Sequence, residues 1–330
     1  MCHKRMYGLV AGLGVTALLA AGCGSSSGGG TSSTGGTSSN KNIAMVLANK
    51  ADPFFLTIRC GAQQEASKLG VHLTVQLTND YSPGQQIAAI NGVTATTPQA
   101  VVVDPMDPEA IFPPLRQAHG DGAKLVTLDG TLNDKSLLAS EIVSDDYHAG
   151  VVSAQQLAGL IGRKGQVLMI ALQTGVPPVQ NRINGFKAGM KAYPNITVLP
   201  IQYDNSDPQR AAAILSATLA RNPDLAGIYS ENPPAVQGAT NALKQAGKVG
   251  TIKQVVFDGS PTTVADLQSG AAQAIVVQEP RLEGQIAVRQ AIAAIDGKPT
   301  QKHIVTPVQV ITTKNLNTPQ AQQTLWKASC

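Results

Sequence analysis

Two doubly wound, parallel α/β sheets in one chain are the fold class this sequence predicts, and three observations predict it. Short apolar runs alternate with longer amphipathic ones from Asn42 onward, the strand–helix rhythm of an open wound sheet. The short runs are continuously aliphatic, as strands covered on both faces by helices must be. Their number, about ten, exceeds what one wound domain comfortably carries.

The first strand is NIAMVLA (42 to 48). A helix from Phe54 to Leu69 follows, opened by Asp52-Pro53, a capping residue with proline at the first helical position, and it places Ala62, Ala66 and Leu69 on one face. Next come the strand VHLTVQL (71 to 77), a helix from Pro83 to Thr96, the strand AVVVDP (100 to 105), a helix from Pro108 to His119, the strand KLVTLDG (124 to 130) and the strand EIVSDD (141 to 146). The alternation then repeats: helix Tyr147 to Ile161, strand QVLMIAL (166 to 172), a helix across NRINGFKAGMKAY (181 to 193), and strand ITVLPIQYD (196 to 204). Helix Pro208 to Arg221 leads to strand LAGIYS (225 to 230), helix Ala235 to Ala246, strand IKQVVFDG (252 to 259) and helix Thr262 to Ser269. Strand AAQAIVVQ (271 to 278), helix Leu282 to Ile295 and a last strand near HIVTPVQVIT (303 to 312) complete the series. No Ser- or Pro-rich linker divides the two halves, so structured strands are expected to cross between them.

A chain of 330 residues can bury large cores. Its formal charge of +4 falls to +2 without Lys4 and Arg5, which gives no electrostatic footprint for nucleic acid. Residues 1–22 read as an export signal: a basic start, an apolar run from Gly8 to Ala21, and small residues before Cys23. LLAAGC (18 to 23) resembles a bacterial lipobox, with Leu19 one place early; the alternative is an ordinary signal peptide that leaves Cys23 a free thiol. The Gly/Ser/Thr stretch through residue 41 favours the lipid, because it reads as a tether between a membrane anchor and a folded body. Gly24-Ser25-Ser26-Ser27-Gly28 matches a hydrolase elbow only by composition, since that motif needs a strand-to-helix turn. Cys60 and Cys330 are left over and read as one disulfide in an oxidising compartment, the alternative being a buried Cys60 and a free Cys330.

In wound sheets ligands bind beyond the carboxyl ends of the strands. Those ends carry Asp52, Asp104, Asp129, Tyr203-Asp204, Glu231-Asn232, Asp258 and Gln278, with Arg182 opening a helix between two of them. Each has an ordinary reading as a cap or turn, but their recurrence at one edge of both halves exceeds what capping requires. Carboxylates, amides and Arg present paired acceptors and donors to vicinal hydroxyls, and aromatic faces cover C–H patches of a sugar ring. In ADPFFL (51 to 56), two of the five Phe stand side by side, one able to pack inward and the other to face a ligand, or both to be core. The histidines are scattered without metal spacing, and no Cys-x-x-Cys or phosphate loop occurs, so no enzyme, metal or cofactor is expected.

These residues resemble bacterial periplasmic sugar-binding proteins of the ribose-binding class, solute receptors of ATP-driven (ABC) importers, over about Asn42 to Thr313. The resemblance rests on DPFF (52 to 55), VDP (103 to 105), TLDG (127 to 130), RINGF (182 to 186), SEN (230 to 232), FDG (257 to 259) and VVQ (276 to 278). It implies a type I periplasmic binding fold with a three-crossing hinge near Asp145, Gln278 and Thr306. The lobes would be 42–145 with 279–305, and 146–278 with 306–315, followed by a tail, 316–330, whose Trp326 and Cys330 dock on the helix bearing Cys60. It implies a ligand set of Asp52, Phe54, Phe55, Asp104, Asp129, Arg182, Tyr203, Asn232, Asp258 and Gln278, closing on a sugar or polyol. The implied partners are an importer permease and, through the lipid, the membrane; a monomer is expected. Gly130 replaces the Arg of ribose binders, Asp52 replaces an Asn and Pro233 an acid, which points to a roomier, more acidic pocket near Asp129 and toward a hexose, polyol or other hydroxylated molecule. The alternative role is a same-fold sensor presenting its ligand to a membrane receptor. A repressor of the lactose class is disfavoured, because a signal and tether stand where its DNA-binding helices would be.

Overall fold

A computed structural model describes residues 41–326 and 330. The export signal, Cys23 and the tether through residue 40 lie outside the described residues.

Six strands form the first sheet: β1 (Asn42–Leu47), β2 (His72–Leu77), β3 (Ala100–Val103), β4 (Lys124–Leu128), β5 (Leu138–Ser144) and β12 (His303–Thr306), in the order β12-β5-β4-β3-β1-β2. All its pairings are parallel. Alternate residues feed two layers. Ile43, Met45 and Leu47 join Val102 and Val126 under α1 (Pro53–Leu69) and α9 (Pro280–Ile295), while Ala44, Val46, Val101 and Val103 pack under α2 (Pro83–Thr94) and α3 (Phe112–Gly120). With both faces covered, nearly every position of the inner strands β1 and β3 gains from an apolar side chain, at about 1.5–3 kcal/mol for each large aliphatic buried, whereas the edge strand β2 alternates exposed and half-buried residues.

The second sheet repeats the plan with β6 (Gly165–Ala171), β7 (Ile196–Val198), β9 (Leu225–Ser230), β10 (Lys253–Phe257), β11 (Ala274–Val277) and β13 (Gln309–Ile311), ordered β13-β11-β10-β9-β6-β7, and β8 (Gln202–Tyr203) pairs with β6. β13 runs antiparallel to β11. α4 (Asp146–Leu160) and α5 (Pro177–Met190) cover one face, and α6 (Pro208–Arg221) and α7 (Pro233–Gln245) the other; α8 (Pro261–Ser269) links β10 to β11.

Three segments pass between the sheets: residue 145 before α4, residues 278–279 before α9, and residues 307–308 between β12 and β13. Each lobe is therefore assembled from non-contiguous pieces of chain. Two helix pairs close tightly through glycine. A Cβ on Gly61 would collide with the Arg281 carbonyl and one on Gly284 with that of Ile58, between α1 and α9; Gly150 and Gly185 meet the carbonyls of Arg182 and Tyr147 in the same way, between α4 and α5.

The structure corrects several boundaries. Pro200 and Pro307, which lack an N–H, split the expected strands 196–204 and 303–312, and the two pieces of the latter lie in different sheets. α3 begins at Phe112, because Asp107 folds the preceding residues into a turn by accepting from the Glu109 and Ala110 N–H groups at 3.0 Å each. α5 begins at Pro177, so Arg182 lies in its second turn and not at its opening. Leu69 is 41% exposed although it shares a sequence face with the buried Ala62 and Ala66, because it stands in the last turn beside the left-handed Gly70 cap. Lys41 belongs to the folded body, not to a tether: it pairs with Asp296 at 2.9 Å.

Beyond β13 the chain forms α10 (Pro319–Thr324), and Leu316, Leu325 and Trp326 enter the apolar core. Cys60 and Cys330 are disulfide-bonded, with Cα atoms 5.3 Å apart.

Candidate functional site

In both sheets the strand order reverses at one point, between β1 and β3 and between β6 and β9. A crevice opens beyond the carboxyl ends at such a reversal, because neighbouring connections there leave to opposite faces.

In the first lobe, β1 leads to Asp52, which caps α1 by accepting from the Phe54 N–H at 2.9 Å. β3 leads to Asp104, whose loop is gripped by the fully buried Gln86: its amide nitrogen donates to the Asp104 carbonyl, and its oxygen accepts from the Met106 N–H at 3.0 Å. β4 ends at Asp129, which takes the left-handed conformation (φ 59°) before Gly130. The space beside Gly130 is partly taken by Pro105, whose carbonyl oxygen would lie 3.0 Å from an added Cβ.

Phe54 is 5% exposed and Phe55 fully buried, so both rings are packed inward. Phe55 meets Phe54 edge-on at 5.0 Å and Tyr81 at 5.7 Å, and Phe54 lies against Trp326 at 5.0 Å. Tyr81, 60% exposed, is the ring of this group that reaches solvent.

In the second lobe, the Tyr203 carbonyl accepts from Arg210 at 2.8 Å, and buried Asp204 stands next to it within 3.4 Å of the Asn232 amide. Asn232 caps α7 through the Ala235 N–H at 2.9 Å. β10 ends at Asp258, again left-handed (φ 77°) and again followed by glycine. Its carboxylate accepts from the Gln278 amide at 3.0 Å, and the Gln278 oxygen lies 2.9 Å from Ser144 Oγ. Arg182 is held by two acids, Asp146 at 2.7 Å and Glu231 at 2.5 Å, with its guanidinium carbon 4.3 Å above the Phe257 ring centroid. Glu231 also accepts from the Leu172 N–H at 3.0 Å.

The electrostatics join the lobes. Burial raises Asp129 to about 6, helped by Asp52 and opposed by Arg182 of the other lobe. Burial pushes Asp258 well above the usual carboxylate range, opposed by Arg182 and reinforced by Asp52 of the first lobe. Asp104 is raised well above its ordinary value by burial, with Asp129 and Glu283 adding to it. These groups feel one another because both sets of strand ends face a common space. Crowded carboxyl groups of this kind are stabilised by neutral hydroxyl donors, which satisfy their lone pairs without adding charge.

Strand-end position was the sequence signal for Asp52, Asp104, Asp129, Asn232, Asp258 and Gln278, and the structure sets all six at carboxyl edges. Sequence reasoning placed Glu231 at a strand end without its hold on Arg182, and it missed Asp146, which acts through Arg182, and Tyr81, which sits in a loop without periodicity. Asp146 could have been found, since it ends the run EIVSDD. Among the described residues no cluster of three or more His, Cys, Asp or Glu is placed to hold a metal, and no helix is long and apolar enough to cross a membrane.

A family model described as a periplasmic binding protein domain matches residues 43–299. The ribose import binding protein of Salmonella typhimurium is 27% identical over 259 residues, covering 78% of this chain and 86% of that protein. The D-apiose import binding protein of Actinobacillus succinogenes is 28% identical over 254 residues, covering 76% of this chain and 81% of the other. An ABC transporter solute-binding protein from Agrobacterium vitis, crystallised with α-D-tagatopyranose, superposes with a TM-score of 0.81 at 32% identity, over 87% of this chain and 100% of that one.

Proposed function

We propose, from the premise that this chain belongs to the periplasmic binding protein domain family, that it captures a sugar between its lobes and delivers it to an ABC-type importer. The observation that carries this reading is that both sheets set polar residues at the carboxyl edge of their reversal, Asp52, Asp104 and Asp129 from one and Asn232, Asp258 and Gln278 from the other, with Asp52 felt by Asp258 and Arg182 by Asp129 across the lobes. Arg182 supports them as a fixed positive charge, its plane set by Asp146 and Glu231. Phe54 and Phe55, packed inward, back the Asp52 turn, and the rings left to cover C–H faces of the ligand are those of Tyr81 and Tyr203. A ligand that touches both sets does so only when the lobes are together, so binding shifts the equilibrium toward the closed form that a permease would recognise.

The ligand we infer is a hexose. The relative crystallised with a tagatose ring supports a six-carbon sugar; Gly130 itself adds little room, because Pro105 fills part of the space beside it. The curated relatives are import binding proteins, which supports import over presentation to a sensor. The export signal, acylation at Cys23 and a Gly/Ser tether complete the reading as a lipid-anchored, monomeric receptor outside the cytoplasm.

A thermal-shift screen of the mature protein against aldo- and ketohexoses, pentoses and polyols tests the proposal, because a ligand that binds only the native state raises the melting temperature. A hexose is expected to raise it, and Asp258→Asn to abolish the rise. Absence of a shift and of calorimetric heat with every sugar would overturn it.

A further inference from the structure

We propose that the segment after β13 is a fourth connection between the lobes, closed covalently by Cys60–Cys330, in which Trp326 is a positioning residue for Phe54 and the Asp258 turn. The proposal rests on the sugar-binding reading for its effect on affinity, but not for its effect on lobe opening.

Four observations carry it. The segment starts in the second lobe, where β13 pairs with β11 and Asn315 donates to the Val310 carbonyl at 2.8 Å. It stays there as far as Trp326, whose backbone N–H donates to the Gly259 carbonyl at 3.0 Å, while Leu325 packs so close that a Cβ on Gly259 would lie 3.1 Å from it. Then it changes lobes: the Trp326 ring lies on Phe54, and Cys330 is bonded to Cys60, both on α1 of the first lobe. Finally, one apolar cluster runs from Met45, Phe54 and Phe55 through Trp326 and Leu325 to Val256 and Val277.

Trp326 thus touches both lobes: its backbone N–H holds the turn that carries Asp258, a ligand-side residue, and its ring holds Phe54, two residues beyond Asp52. The ring is 5% exposed, so separating it from Phe54 exposes apolar surface on both lobes. Four peptide steps separate Trp326 from Cys330, a reach of about 14 Å at full extension. While the Gly259 contact and the disulfide both hold, the two lobes stay within that reach of each other at this edge. A larger closed fraction in the free protein raises apparent affinity in proportion. The three hinge segments allow the motion, and the fourth connection limits it.

The test uses the full mature chain as wild type, Cys60→Ser/Cys330→Ser, Trp326→Ala and Trp326→Phe, with folding checked by circular dichroism. Small-angle scattering without ligand reads opening, and stopped-flow titration with D-tagatose reads binding. The disulfide-free and Trp326→Ala proteins are expected to be more extended. They should bind D-tagatose about 3- to 30-fold more weakly through a faster off-rate, as a lowered closed fraction requires. Trp326→Phe, which keeps a ring on Phe54, should stay within about threefold of wild type. Scattering and off-rates that match wild type in both disruptive variants would overturn the proposal, whereas a residue that only fills space would lower stability without changing either. If wild type binds no sugar while the variants still open, the receptor reading fails and the fourth connection stands. If Trp326→Ala does not fold, the disulfide pair and Trp326→Phe still decide.

Discussion

Asp129 and Asp258 occupy corresponding turns in the two lobes, each with positive φ and each followed by glycine. Aspartate tolerates this region better than most residues, because its short side chain bonds locally, yet a residue with a Cβ there costs about 1–2 kcal/mol relative to glycine. In this conformation the Asp258 carboxylate accepts from Gln278 at 3.0 Å, and Asp129 lies within electrostatic reach of Arg182 of the other lobe. Asp258→Gly and Asp258→Ala separate backbone strain from carboxylate chemistry. Both are expected to lose sugar binding, but urea denaturation should find the alanine variant about 1–2 kcal/mol less stable than the glycine variant. Equal stabilities would show that the turn is unstrained. The sequence identified these aspartates because strand-end position is a local property. It did not reveal Asp146 or Glu231 as partners of Arg182, because 36 and 49 residues separate each from the guanidinium and only the folded sheet brings them together.

α5 carries Arg182, and α4 opens with the Asp146 that holds it. The two helices touch backbone to backbone at Gly150 and Gly185, so the geometry of the buried ion pair depends on two missing side chains. Gly185→Ala should push the helices apart, cost about 1–3 kcal/mol as overpacking does, and weaken sugar binding by misaligning Arg182. Urea denaturation and a sugar titration check it; unchanged values for both would mean that the helices slide without disturbing the pair. Element types were legible because continuous aliphatic runs and amphipathic stretches differ in period. Their edges were not, where a proline decided them: Pro200 and Pro307 ended strands inside apolar stretches that read as continuous, and Pro177 started α5 ahead of its first apolar face.

At the scale of the molecule, the three crossings share one polar network. Ser144 Oγ, from the first crossing, lies 2.7 Å from Glu283 and 2.9 Å from Gln278, and Thr306, from the third, donates to Glu283 at 2.9 Å. Burial, reinforced by Asp129 and opposed by the Ser144 and Thr306 hydroxyls, raises Glu283 to about 8; Asp146 is raised to about 7, mainly by burial. A carboxyl group raised on folding binds its proton more tightly in the native state, so its contribution is full below its ordinary value of 4.5 and fades as pH climbs through 8. The ligand-free protein should therefore melt at lower temperature at pH 8.5 than at pH 5, and Glu283→Gln, which keeps an acceptor for both hydroxyls, should flatten that slope by at least about 2 °C. An identical slope in the variant would mean that Glu283 keeps its charge in the fold. The two-lobed plan was legible from strand count alone, since so many covered strands need more than one sheet. The network was not, because hydroxyls and amides at strand ends carry no period that distinguishes a hinge from a turn.

The interleaved ancestry of the lobes also imposes an order in time. Five strands of the first sheet are made by residue 144, but α9 and β12, which complete it, arrive with residues 280–306. A chain delivered from its first residue at the usual rate of protein synthesis waits roughly 10–30 s between those points. Throughout that interval Val102 and Val126 lack the helix that later covers them. The earliest part of the protein to be made is thus among the last to be finished, and the nascent chain stays pliable until nearly all of it has emerged.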